Sequence, residues 1–262
     1  MSDSLPLPPC PSPTAAPAEG LGFALGGAAL VARPSGALWW PARRMLTVAD
    51  LHLGKSGRMA RRGGPLLPPY ETEETLDRLA AEIAALAPAE VVCLGDSFDD
   101  PAAAAALAPA TRARLAEMAE GRRWTWAEGN HDPGPNGLTA PGMTHAAELR
   151  AGPLVFRHIA APGWRAGGIA GEGGEREGGE VSGHYHPKGR LPGGGGARAC
   201  FVLSHGRLIL PAFGRYTGGL CARDPAIRAL APEGLALLLG PRVTPVPLSA
   251  LRPIARLAST GR

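Results

Sequence analysis

The run Val91-Val92-Cys93-Leu94-Gly95-Asp96 is a continuous apolar stretch of strand type that stops abruptly at a glycine and a carboxylate. Two similar stops flank it. Met45-Leu46-Thr47-Val48-Ala49 runs into Asp50-Leu51-His52, and Trp124-Thr125-Trp126-Ala127-Glu128 runs into Gly129-Asn130-His131-Asp132. The segments between them read as helices, so the strands should be parallel and their carboxyl ends should share one edge, where open α/β sheets place their ligands. One site can then collect Asp50, His52, Asp96, Asn130 and His131.

Working outward, residues 71–86 place Leu76, Leu79, Ile83 and Leu86 on one face at helical spacing, with Glu71, Glu73 and Glu74 at the positive end of the helix dipole. A second helix is expected over residues 111–119, ending near Gly121. Upstream, Ala28–Val31 and Ala37–Trp40 flank Pro34-Ser35-Gly36, a hairpin signal. Downstream of Asp132, Pro133-Gly134-Pro135-Asn136-Gly137 breaks regular structure, and the second half reads as mainly β, with strands expected at residues 154–158, 180–183, 200–203, 208–210, 235–239 and 243–246. The Gly- and Glu-rich segment 167–179 reads as a mobile loop. Residues 1–20, rich in Pro, Ala and Ser, read as a disordered leader, residues 21–248 as a single domain and residues 249–262 as a tail.

The 262 residues carry 27 Lys and Arg against 23 Asp and Glu, a net charge of +4 that permits a polyanionic partner without requiring one. Only Lys55 and Lys188 are lysines, and the abundance of Arg, Ala, Gly and Pro has the look of a coding bias, which weakens arginine count as a sign of nucleic acid. Cys10, Cys93, Cys200 and Cys221 are too far apart for a CxxC knuckle and read as thiols in a reducing compartment. No apolar run approaches the roughly 20 residues of a membrane span, so a cytoplasmic protein with no membrane partner is expected.

Mixed carboxylate, amide and imidazole side chains suit Mn, Fe or Zn, and two such ions roughly 3.5–4 Å apart can clamp the attacking and leaving oxygens of a phosphoryl displacement. The full series is Asp50-x-His52, Gly95-Asp96, Gly129-Asn130-His131-Asp132, a strand-end His158, and Gly183-His184-Tyr185-His186. In content and order it closely resembles the calcineurin-like metallophosphoesterase superfamily. That resemblance implies one ion held by Asp50, His52, Asp96 and His186, and another held by Asp96, Asn130, His158 and His184, with Asp96 as the bridge. It implies that His131 acts on the phosphate and that Asp132 orients it.

Ala49-Asp50-Leu51-His52-Leu53-Gly54-Lys55, Leu94-Gly95-Asp96-Ser97-Phe98, Gly183-His184-Tyr185-His186-Pro187 and Leu210-Pro211-Ala212-Phe213-Gly214-Arg215-Tyr216-Thr217-Gly218-Gly219-Leu220 look like the ligase-associated DNA damage response endonucleases, the PdeM-like branch. The resemblance runs from about Leu30 to Leu230. It implies a four-layer α/β/β/α sandwich, two divalent ions with Mn2+ foremost, action on DNA, and the company of a DNA ligase, a helicase and an exonuclease. Asp99 departs from it, standing where many members carry a histidine. Two other readings remain: a phosphomonoesterase or cyclic-nucleotide phosphodiesterase for small molecules, and an inactive scaffold of the same fold.

The stretch after His52, with Lys55, Arg58, Arg61 and Arg62, reads as a loop over the site mouth whose charges form a phosphate-binding rim, or else as a solvated face. Lys188, Arg190 and Arg215 are further candidates for that rim. His145 and His205 have no motif context and read as surface or turn histidines, while Trp39, Trp40, Trp124 and Trp126 fall in strand runs and read as core.

Overall fold

The computed structural model describes residues 20–164 and 178–254. The expected leader as far as residue 19, and the expected mobile loop as far as residue 177, lie outside them. A first sheet contains, in both chain and spatial order, β1 (Leu21–Leu25), β2 (Ala28–Ala32), β3 (Leu38–Trp40), β4 (Met45–Val48), β5 (Glu90–Leu94), β6 (Arg123–Ala127) and β7 (Met143–Ala146). Pairings β4–β5, β5–β6 and β6–β7 are parallel; helical crossovers link the first two pairs, and an irregular connection over residues 128–142 links the third. The second sheet is built from β8 (Glu148–Ala151), β9 (Leu154–Arg157), β10 (Gly179–Ser182), β11 (Lys188–Gly189), β12 (Arg198–Ser204), β13 (Arg207–Ile209), β14 (Leu235–Leu238) and β15 (Thr244–Pro247). Its order is β15-β14-β12-β13-β10-β9-β8, with β11 paired to β12.

Strand alternation sorts the apolar residues into three layers. On β5, Val91 and Cys93 face a cluster containing Leu46, Val48, Trp124 and Trp126, closed by α2 (Glu71–Leu86) through Leu76, Leu79 and Ile83 and by α4 (Pro109–Ala119) through Leu115 and Met118. Val92 and Leu94 face the other way, into a layer between the sheets with Trp40, Phe156, Val181, Phe201 and Leu237. Cys200, Val202, Ile209, Ala236 and Leu238 line the outer face of the second sheet, which α5 (Pro225–Leu230) covers through Ile227. The result is the expected α/β/β/α order with one thin outer layer, and all four strand tryptophans are core.

Three readings need correction. The stretch after His52 is a helix, α1 (Lys55–Arg61), although none of its residues is buried. Its Lys55, Arg58 and Arg61, three residues apart, lie on one face and pair with Asp99 and Asp100 just before α3 (Pro101–Ala105), so ion pairs take the place of an apolar stripe. β7 and β8 formed without a sequence signal, being short and half-buried. The domain also continues past residue 248: Leu251 is buried in the outer layer and Arg252 bridges Arg190. His145 lies half-buried on edge strand β7, and His205 occupies the β12–β13 turn.

Candidate metal centre

The carboxyl ends of β4, β5, β6, β9 and β10 deliver every side chain picked out by the motifs. Backbone bonds fasten these ends together. Asp50 N–H donates to Gly95 O at 3.1 Å, His52 N–H to Asp96 O at 2.9 Å, Gly183 N–H to His158 O at 3.0 Å and Gly214 N–H to Asp50 O at 3.0 Å. Eight non-glycine residues among those described have left-handed φ, and five are Asp50, His52, Asp96, His184 and His186. Such conformations cost on the order of 1–3 kcal/mol each and persist where surrounding contacts enforce them. Here each one turns a side chain away from the sheet alternation toward a common centre.

Three side-chain groups form there, and two of them consist of the expected ligands. Asp50, His52 and His186 offer atoms within 4.8 Å of one another, and so do Asp96, His158 and His184. In the first, His186 Nε2 is 3.1 Å from Asp50 Oδ1 and 3.3 Å from His52 Nε2. In the second, His158 Nε2 lies 3.2 Å from Asp96 Oδ2, 3.0 Å from Asn130 Oδ1 and 3.3 Å from His184 Nδ1. Asp96 Oδ2 also stands 4.0 Å from His52 Nε2, so this one oxygen reaches both groups.

The donor set fits divalent cations. His158 Nδ1 donates to the Leu94 carbonyl at 3.1 Å, because a carbonyl only accepts, so the neutral ring carries its lone pair on Nε2. That lone pair meets two oxygens and another imidazole nitrogen, a convergence of electron-rich atoms that needs a proton or a cation. The charges respond accordingly. Burial alone would raise the Asp96 carboxyl, but the His158 imidazole and the His131 N–H overcome it and hold it at about 2. Burial would lower His158, yet Asp96 raises it. His184 is lowered by burial and by the neighbouring His158 charge.

Glycines provide the room. A Cβ on Gly95 would lie 2.4 Å from His158 Cγ, and one on Gly183 2.6 Å from Asp50 Oδ2. A Cβ on Gly129 would lie 2.1 Å from Asp96 N. Each glycine in the Gly-Asp, Gly-Asn-His and Gly-His-x-His blocks is thus required for close approach of a site carboxylate or imidazole.

His131 belongs to neither of these two groups; it falls in the third, with His52 and Asp99, whose atoms also lie within 4.8 Å of one another. Its backbone N–H donates to Asp96 Oδ1 at 2.8 Å, and its ring stands edge-on to His52 with centroids 5.0 Å apart. The expectation that Asp132 orients it is corrected: His131 Nδ1 pairs with the Asp99 carbonyl at 2.8 Å. Asp132 Oδ2 instead accepts from Ser97 N–H at 2.8 Å and Phe98 N–H at 3.1 Å, so it clamps the loop that follows Asp96. Burial pushes its carboxyl up to about 6, against the pull of those N–H groups.

The expected basic rim is also largely redirected. Lys55 Nζ lies 3.0 Å from Asp99 Oδ1, Arg58 Nε donates to Asp99 Oδ2, and Arg61 makes a forked pair with Asp100 at 2.9 and 3.1 Å. A wholly buried carboxylate at residue 99 draws these cations inward. Among the described residues of that rim, Arg62 and Arg190 have no side-chain hydrogen bond or ion pair. Lys188 donates to Thr217 O at 2.9 Å and Arg215 pairs with Glu74 at 2.6 Å.

No family model matches the sequence, and no curated protein does either. Solved structures do. The crystal structure of Pseudomonas putida nuclease MPE is 27% identical, with a TM-score of 0.62, and the match covers 87% of this chain and 100% of that one. YfcE, a phosphoesterase from E. coli, resembles the chain loosely, at 14% identity and a TM-score of 0.35 over 74% of this chain and 87% of that one. No helix among the described residues is long and apolar enough to cross a membrane. Two stacked mixed sheets, the paired His/Asp groups at their shared edge and the full-length likeness to a nuclease make the chain a metallophosphoesterase-type hydrolase.

Proposed function

We propose that this chain is a dimetal phosphodiesterase acting on DNA. The observation that carries the reading is Asp96 Oδ2, which stands between the Asp50/His52/His186 group and the Asp96/His158/His184 group. Asp50, His52, Asp96 and His186 would hold one ion, and Asp96, Asn130, His158 and His184 the other. Two divalent ions, with Mn2+ first and Fe or Zn next, would supply neutralisation of the phosphate and lower the pKa of water enough to furnish a hydroxide nucleophile.

The chain's own residues do the rest. Asp96 keeps both groups in register, with its other oxygen tied to the His131 backbone. His131 Nδ1 is committed to the Asp99 carbonyl, so Nε2, carrying a proton in the imidazolium form, is the atom left to donate to a phosphate oxygen or to the leaving oxygen. DNA as the substrate draws support from the likeness to a nuclease over that chain's whole length. A role in DNA repair beside a ligase, helicase and exonuclease is the further proposal carried by the motif resemblance.

The test is hydrolysis of single-stranded, duplex and nicked DNA with Mn, Zn, Fe or Mg, beside an aryl phosphodiester and a set of phosphomonoesters. Metal-dependent DNA cleavage that exceeds turnover of the small esters supports the reading. Turnover of phosphomonoesters with DNA left intact would make the protein a small-molecule phosphatase. A purified protein that binds no divalent ion would make it an inactive scaffold.

A further inference from the structure

The Asp99 carboxylate is wholly buried and has three partners: His52 Nδ1 at 2.8 Å, Lys55 Nζ at 3.0 Å and Arg58 Nε. Its main-chain carbonyl accepts a fourth hydrogen bond, 2.8 Å from His131 Nδ1. An ionised carboxylate flanked by two permanent cations only accepts hydrogen bonds, and so does a carbonyl. Both histidines must therefore carry hydrogen on Nδ1, which leaves Nε2 of each neutral ring with the lone pair. For His52 that Nε2 is the atom beside His186 Nε2 and Asp96 Oδ2.

We propose that Asp99 is a positioning residue that fixes the tautomer and ring orientation of His52 through its carboxylate and of His131 through its main chain, with Lys55 and Arg58 of α1 as the counter-charges that hold it. The inference deepens the metal-centre reading and rests on it for its consequence. A carboxylate behind a ligating imidazole orients the ring and raises its basicity, and loss of such a partner typically weakens metal affinity about 10–100-fold. The basic face of α1 thereby becomes part of the metal site's support, and the segment that reads from sequence as a DNA rim serves the centre from behind. The simpler alternative is that Asp99 only pins α1 to the sheet.

Asp99→Ala separates the two, because it removes the carboxylate and keeps the carbonyl. Imidazole 15N spectra of the metal-free protein at pH 8 should show Nδ1–H at both His52 and His131 in the wild type. In Asp99→Ala, His52 should move to the Nε2–H form while His131 stays unchanged. Calorimetric Mn2+ titration should show one of two sites weakened about 10–100-fold and the other kept. Asp99→Asn preserves the shape and an acceptor oxygen, guards against loss of folding, and should fall between wild type and Ala. An unchanged His52 tautomer in both variants would overturn the proposal, as would wild-type affinity at both metal sites. A protein that binds no Mn2+ at all would defeat the metal-centre reading, while the 15N spectra would still decide the tautomer claim.

Discussion

Gly129→Ala tests how tightly the centre is built. The backbone at Gly129 is outside the left-handed range, so space alone decides the outcome. An added Cβ would lie 2.1 Å from Asp96 N, 2.2 Å from Asp96 Oδ1 and 2.6 Å from Asp132 Oδ1, whereas real Cβ atoms essentially never approach closer than 3.0 Å. Opening 2.1 to 3.0 Å requires roughly 0.9 Å of movement. Strand β5 is paired on both sides and cannot yield, so the 129–131 backbone or the Asp96 carboxylate must. Either shift breaks the His131 N–H bond to Asp96 Oδ1 and displaces the oxygen that reaches both groups. Overpacking of this kind costs about 1–3 kcal/mol, which lowers Tm by about 2–4 °C per kcal/mol at this chain length. A misplacement of about 1 Å costs about 100-fold in rate. The assay is kcat on an aryl phosphodiester at saturating Mn2+, with metal content and melting temperature measured on the same sample. Gly22→Ala is the control, since nothing lies within 4 Å of that position on β1. Wild-type kcat and metal content in Gly129→Ala would refute the packing argument.

Asp96→Asn should lower occupancy of both ions together, and retention of two ions by elemental analysis would contradict the bridge. For His131→Ala the ions should remain while kcat falls about 10²–10⁴-fold; loss of metal would place His131 in the ligand shell. Arg78→Leu removes donation to the Phe213 and Ser35 carbonyls and a cation–π contact at 4.4 Å, and should destabilise the protein by about 2–3 kcal/mol in urea melts; an unchanged midpoint would contradict that anchoring role. Glu180, away from the centre, has its pKa raised by burial despite Arg207 and the Ala161 N–H. A carboxyl with a raised folded-state pKa loses stability as pH rises from its ordinary value through the raised one. Glu180→Gln should therefore gain stability relative to wild type across that window, and urea melts from pH 4 to 7 showing a flat or opposite trend would contradict it.

Period and order made most of this legible in the sequence. The α2 reading coincides with Glu71–Leu86 because its apolar residues repeat at helical spacing, and β5 was legible because an apolar run ends at Gly95. The parallel pairing of β4, β5 and β6 followed from the helices between them. What escaped the sequence rests on long-range contacts. Helix α1 buries no residue and is held by acidic partners more than 35 residues away, although the three-residue spacing of Lys55, Arg58 and Arg61 opposite Asp99-Asp100 was a usable sign. The resemblance pairs Asp132 with His131, but the main-chain turn delivers it to Ser97 and Phe98. The left-handed backbone at five site residues has no composition signal, since Asp and His carry it in place of glycine.

The most direct test of the account is a titration of metal-depleted protein with Mn2+, read simultaneously as ions bound per chain and as cleavage of a DNA substrate. The account predicts that cleavage appears as the second ion binds, reaches its limit at two ions per chain, and is absent in Asp96→Asn at the same total Mn2+. Full cleavage at one ion per chain, or undiminished cleavage by Asp96→Asn, would contradict the two-ion centre organised around Asp96.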